Sequence, residues 1–357
     1  MLRLGLALVA VLGLTVAAGL RFALLLAIGL GLGYTLERMG FGFAGPWRRF
    51  IRERNAQGLL AQLLAIGLAA SFIQPLLAGN EQFIGAIAPV SISMVLAAAV
   101  FGFAMQLVLG CGSGTLVNAG SGNLVALVAL PFFCIGSFLG TLLLPSALAT
   151  FSHTTVDLNE LGVGLSLSLT WAGLLLVGLI AVTLSQGPRL NRRLLTAAAI
   201  VAGLAVVHVL VAGQPWGVVY GLGLWVAKIS LALGWDPAGA VFWSHPVNQA
   251  TLNGSVLTDV TSLTSIGLVA GAAWAAWKSS DATTLAPGLA RWIWLIVALA
   301  GLVLGVSSRL AFGCNVGGLF SGIASGSLHG WAWLVAGFVG SIGAVWVRDR
   351  LWARGTA

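Results

Sequence analysis

Charge is what this sequence has least of. Only 7% of its 357 residues are Asp, Glu, Lys or Arg, against about 25% in an ordinary soluble domain. So few charges cannot cover a water-facing surface, which excludes a soluble globular protein of this size. Lysine is nearly missing, present only as Lys228 and Lys278. No polar interruption is long enough to fold by itself, so a separate nucleotide-binding or extramembrane catalytic module is excluded too. Cysteine occurs three times, at 111, 134 and 314. That is too few, and too scattered, for a disulfide framework.

What is present is apolar sequence. Residues of the AVILMFWYC set make up 59% of the chain, in solid runs separated by short polar gaps. Solid runs argue for helices rather than the alternating strands of a membrane barrel. A span needs about 20 apolar residues. The expected fold is therefore an all-α integral membrane protein of about nine to eleven spans, one membrane domain over residues 1–357. The first run, 4–20, follows Arg3 and ends near Val16, Ala17 and Ala18. It reads as a first helix or as a signal peptide.

The net charge of +8 does not call for nucleic acid, because the arginines gather in loops. Arg48, Arg49, Arg52 and Arg54 form one cluster, Arg189, Arg192 and Arg193 a second, Arg348, Arg350 and Arg354 a third. Such loops face the cytoplasm. Gaps 79–83 and 146–160 carry Glu81, Asp157 and Glu160 without Lys or Arg and belong outside. These sides require an odd number of crossings between residues 194 and 233, where two short apolar runs occur. One of them must be a half-helix or a surface segment.

The chain is written twice. Residues 103–114 read FAMQLVLGCGSG and residues 306–317 read VSSRLAFGCNVG. Aligning Cys111 with Cys314 brings Gly110 onto Gly313 and Gly114 onto Gly317. A one-residue shift then pairs Ser121 and Gly122 with Ser325 and Gly326. Upstream, AIGL at 65–68 matches SIGL at 265–268. Loop charge changes sign between equivalent gaps, so the expected halves are inverted: repeat one over about 20–145, a linker helix at about 160–186 and repeat two over about 195–348. Inverted repeats with broken helices mark secondary transporters and channels.

Glycine-rich breaks at membrane depth are tolerated only where they line a protein cavity. The runs 110–114 and 313–318 are such breaks, each expected to open a short re-entrant helix. Close packing of helices through small residues is the competing reading. A helix that begins after each cysteine offers unpaired N–H groups and a positive dipole end, an anion site without a fixed charge. Ser113, Thr115 and Asn315 add donors, and Gly112 lets the backbone approach. A thiol is a weak, soft donor suited to a terminal sulfur. Metal binding at Cys314 with His329, thiol redox chemistry at a helix start, and plain burial of a small apolar residue stay open. Cys134, beside Phe132 and Phe133, fits the last. Arg309, opposite Gln106 in the repeat, is an intramembrane arginine, either an attractor for the anion or a structural anchor. The tryptophans fall near run ends, as an interfacial belt does.

The motifs GCGSGT at 110–115 and GCNVGGLFSGIASGSLHGW at 313–331 resemble the YeeE/YedE family of bacterial inner-membrane sulfur-transport proteins, and the likeness runs from about residue 31 onward. The resemblance implies an hourglass-shaped helical body that takes up thiosulfate, with Cys111 and Cys314 handing the ion on through S–H···S contacts. It implies no cofactor, no enzyme activity and no nucleic acid. The family carries a third cysteine in a Gly-Phe-Cys context; the run RMGFGF at 38–43 has Gly42 there. Uptake of another sulfur or selenium species, or a membrane sulfur-transfer protein that carries a persulfide and serves a cytosolic sulfur carrier, are the alternatives.

Overall fold

The computed structural model describes residues 13, 19–186, 190–277 and 289–355. The question of a signal peptide or first helix at the N-terminus falls largely outside the described residues, as do Arg189, Lys278 and most of the gap before Arg291.

The protein is an all-α membrane protein. The first half contains α1 (Leu20–Met39), α2 (Ala44–Glu53), α3 (Gln57–Gly79), α4 (Ile92–Leu107), α5 (Gly112–Gly120) and α6 (Leu124–Thr150). After α7 (Val163–Thr183) come α8 (Arg192–Ala212), α9 (Val219–Ala232), α10 (Val241–Ser244), α11 (Pro246–Asn253), α12 (Val260–Trp277) and α13 (Arg291–Leu310). A π-helical turn over Asn315–Phe320 leads into α14 (Ser321–Ala324) and α15 (Leu328–Gly355). Among the described residues, nine helical segments are long and apolar enough to cross a membrane, and α9 is too short to do so. Of the two runs between residues 194 and 233, α8 is thus the full-length one and α9 the short one.

Polar side chains close the helix starts where the chain leaves apolar surroundings. Ser91 accepts from the Met94 N–H, Asn123 from Ala126 and Asn191 from Leu194, each answering a donor that has no partner inside its helix. Helices α1 and α8 both stop at a left-handed glycine, Gly40 with φ 65° and Gly213 with φ 77°.

The helices cross-pair between halves. Helix α4 packs on α15, and α13 packs on α6. Small residues permit the approach: a Cβ at Gly340 would lie 1.8 Å from the Ala99 carbonyl oxygen, and one at Gly136 2.0 Å from that of Leu302. Without a hydrophobic drive between helices in lipid, such close backbone contact supplies the adhesion. Helix α1 packs on α12, and α8 on α3, in the same crossed manner.

Two ends are distinct. At one, Arg52 pairs with Asp349 at 3.2 Å, the Arg54 carbonyl accepts from the Gln186 N–H, and Arg193 donates to the Arg38 carbonyl. All three arginine clusters contribute to this end. At the other, β1 (Pro89–Ser91) pairs antiparallel with β2 (His153–Thr155), Val90 opposite Thr154. There the Gly213 carbonyl accepts from Ile84, and Asn159 donates to the Ser325 carbonyl.

The tryptophans do not all form a belt. Trp235, Trp277 and Trp346 are exposed, whereas Trp47, Trp216, Trp243 and Trp333 are fully buried. Each of these four helps hold a loop or a helix contact, which position near a run end does not reveal.

Candidate functional site

Both cysteine loops share one backbone shape. Leu109 and Phe312, one residue before the glycine, take φ of 61° and 55°. Bulky residues rarely adopt this region, and both are held there by the turn. The Gly110 N–H donates to the Met105 carbonyl at 3.1 Å and the Gly313 N–H to Ser308 at 2.8 Å. Cys111 (φ −78°, ψ −168°) and Cys314 (φ −86°, ψ −167°) then cap the short helices in nearly identical extended conformations. Glycine is required before each. A Cβ at Gly313 would lie 2.3 Å from the Gly318 nitrogen, and one at Gly110 2.9 Å from that of Thr115.

The short helices then diverge. Helix α5 winds normally from Cys111 to the left-handed Gly122. From Cys314 to its counterpart Gly326 the chain is one residue longer, and Asn315–Phe320 forms a π-turn. The one-residue shift in the repeat alignment is thus absorbed as a wider turn, a form frequent at functional sites.

The two thiols meet through this arrangement. The Cys314 sulfur lies close to the backbone of Val316 and Gly317 in its own helix and of Gly112 and Ser113 in the other, and among the described residues it accepts no capping hydrogen bond from its own helix. A Cβ on Gly112 would lie 2.8 Å from that sulfur and 3.2 Å from Val218 Cγ2. The Cys111 sulfur accepts from the Gly114 N–H at 3.4 Å and lies 3.4 Å from the Ser113 hydroxyl. Both thiols are fully buried. The starts of the two short helices therefore meet at one point between the halves.

A cavity of about 390 Å³ opens at the arginine-rich end and reaches Cys111, while Cys314 does not line it. Gly110, Cys111, Ser113 and Gly114 line its floor, and Arg48, Arg49 and Glu37 also line it. Gly42 lines the same cavity, with nothing within 4 Å of where its Cβ would stand. The loop is fixed by Gln62, which donates to the Gly42 carbonyl at 2.6 Å and accepts from the Trp47 indole at 2.9 Å. Phe43, Phe320 and Trp216 form an edge-to-face series at 6.3 Å spacings across the centre. Trp333 donates to the Gly313 carbonyl at 3.1 Å and braces the second loop. Gln62 was not singled out from sequence, where it reads as an ordinary helix residue, and Trp216 and Trp333 read only as members of the interfacial belt.

The remaining sequence candidates fall as follows. The Thr115 hydroxyl is used locally, donating to the Cys111 carbonyl at 2.8 Å, so it is not a spare donor. Asn315 is buried and its side-chain amide has no hydrogen-bond partner among the described residues. Gln106 donates to the Ala44 carbonyl at 3.2 Å. Arg309 lies over the rings of Tyr220 and Phe242 at 5.2 and 5.3 Å. Cys134 is buried in mid-α6 next to Phe133, in the hydrophobic core. His329 bonds Ser327 at 2.7 Å, and among the described residues no group of three His, Cys, Asp or Glu side chains could hold a metal.

The fold and the site define a polytopic helical membrane protein with two thiols at the starts of broken helices, one of which, Cys111, lines a cavity at one end. The chain belongs to the sulphur transport family, whose profile matches residues 38–343. It is similar to the probable transporter YedE of Escherichia coli K12, 33% identical over 91 residues, which is 25% of this chain and 22% of that protein.

Proposed function

We propose that the protein carries a small sulfur-containing anion, thiosulfate first among them, across the bacterial inner membrane, with Cys111 and Cys314 as the residues that hand it on. The observation that carries this reading is the meeting of the two short-helix starts, with their backbone N–H donors, at Gly112 and Cys314, where a Cβ on Gly112 would lie 2.8 Å from the Cys314 sulfur. Those donors suit an anion, and the thiols suit its terminal sulfur. Gly112 is the narrow point between the two thiols. Cys134 takes no part.

The halves are read as an inverted pair about this centre. Equivalent pieces at opposite ends support it: Gly40 sits near the arginine-rich end and Gly213 at the other, and the same holds for Ser121 and Ser325. The ion leaves by the cavity at the arginine-rich, cytoplasmic end. Inward movement of a doubly charged anion works against the membrane potential by about 2.3 kcal/mol per charge per 100 mV. A cytosolic sulfur carrier at that end would act as the sink. Growth of a strain deficient in thiosulfate uptake, with thiosulfate, sulfate and selenite as alternative supplements, tests the reading. Rescue on thiosulfate supports it, and rescue by none of the three removes it.

A further inference from the structure

We propose that Arg309 reads the oxyanion end of the cargo. The transported class is then a small oxyanion with a terminal sulfur or selenium, not hydrosulfide. This rests on the transport reading above and sharpens it.

Arg309 sits in the last turn of α13, five residues before Cys314. Its Nε and Nη2 atoms are buried and have no hydrogen-bond partner among the described residues. Two buried N–H donors without a partner on a half-buried guanidinium are costly, and an anion would answer them. The nearby Asp259 acts on Arg309 through space but forms no ion pair with it among the described residues. It spends an oxygen on the Ser262 N–H at 2.7 Å and the Thr261 hydroxyl at 2.8 Å. Lys228 is also committed, donating to the Leu252 and Gly254 carbonyls at 2.6 Å. Tyr220 and Phe242 hold the guanidinium by its face, which leaves N–H groups at its edge to bond.

Comparison of the halves separates a binding role from a bracing one. Gln106 stands five residues before Cys111 and reaches the first residue of α2, the Ala44 carbonyl. Arg309 reaches the start of α9 in the same way, at Tyr220. A neutral amide suffices for bracing in the first half, so bracing does not require the charge in the second. The segment that Gln106 supports lines the cavity below Cys111. The segment that Arg309 supports includes Val218, which lies against the Gly112–Cys314 contact. Arg309 therefore stacks on the helix whose preceding residue, Val218, lies against the Gly112–Cys314 contact. A planar fork of N–H donors matches an oxyanion, whereas the thiols match the soft atom. One ion that carries both ends would use both sites.

The test is calorimetric binding of sodium thiosulfate and sodium hydrosulfide to the full chain in lipid nanodiscs, for wild type, Arg309→Gln, Arg309→Lys and Cys314→Ala. Arg309→Gln should weaken thiosulfate binding by roughly ten-fold or more, the usual worth of a charge-assisted bond, and leave hydrosulfide unchanged. Arg309→Lys should fall between, because an ammonium keeps the charge but loses the fork. Equal weakening of both probes by Arg309→Gln marks a structural role and overturns the assignment, as does unchanged thiosulfate binding. Should the Gln variant fail to fold, the Lys variant decides: a loss of about three-fold for thiosulfate alone supports the assignment, and wild-type affinity overturns it. Weakening by Cys314→Ala but not by Arg309→Gln leaves the transport reading standing and removes this one. The reverse removes the thiol and keeps Arg309. A wild type that binds neither probe overturns both.

Discussion

Gly112→Ala adds one methyl group at the point where the two halves touch. Its Cβ would lie 2.8 Å from Cys314 Sγ, 3.0 Å from Cys314 Cβ and 3.2 Å from Val218 Cγ2. Carbon contacts are ordinarily about 3.5–4.0 Å, so all three neighbours must yield by several tenths of an ångström. Two of these contacts are with Cys314, whose loop is braced by the Trp333 bond to the Gly313 carbonyl. Overpacking of this kind costs about 1–3 kcal/mol. If that cost falls on the opening of the route, at about 1.4 kcal/mol per factor of ten, uptake drops by about five- to 150-fold. Gly114→Ala is the matched control, since its Cβ meets only the Cys111 sulfur, at 3.5 Å. The assay is initial thiosulfate uptake into proteoliposomes at equal protein incorporation. Near-normal uptake by Gly112→Ala would refute the claim that the ion passes between Gly112 and Cys314.

Further outcomes follow from the same contacts. Cys111→Ala and Cys314→Ala should each abolish thiosulfate-dependent growth with normal insertion judged by membrane immunoblot, while Cys134→Ala grows as wild type. Gln62→Ala strands the Trp47 indole N–H and the Gly42 carbonyl, each costing about 1–3 kcal/mol; a lower melting temperature of the purified protein checks it. Gly340→Ala would drive a methyl into the Ala99 carbonyl and should sharply reduce the yield of folded protein in size-exclusion profiles. Gly42→Cys meets open space, so it should fold normally, and its new thiol should react with a charged maleimide supplied from the arginine-rich end.

Much of this was legible beforehand, for physical reasons. Apolar runs report helices in lipid because nothing else satisfies the backbone there. The paired Gly-Cys motifs located both loops, because glycine alone fits against Thr115 and Gly318 at those turns. The alignment shift at Ser121 and Ser325 was visible, but its form as a π-turn was not, since an inserted residue can also enlarge a loop. Thr115 misled because a hydroxyl near an anion site is equally suited to bond its own helix four residues back. The buried tryptophans were hidden for a similar reason: position along an apolar run does not tell whether a ring faces lipid or a neighbouring helix. Arg309 was noticeable by its charge, yet only the partners of its nitrogens separate a stacked anchor from an open donor.

The most direct measurement is uptake of radiolabelled thiosulfate by proteoliposomes containing wild type, Cys111→Ala or Cys314→Ala, with and without excess sulfate. Saturable uptake by wild type that resists sulfate and vanishes in both variants is the expected result. Undiminished uptake in either cysteine variant would contradict passage of the ion from one thiol to the other.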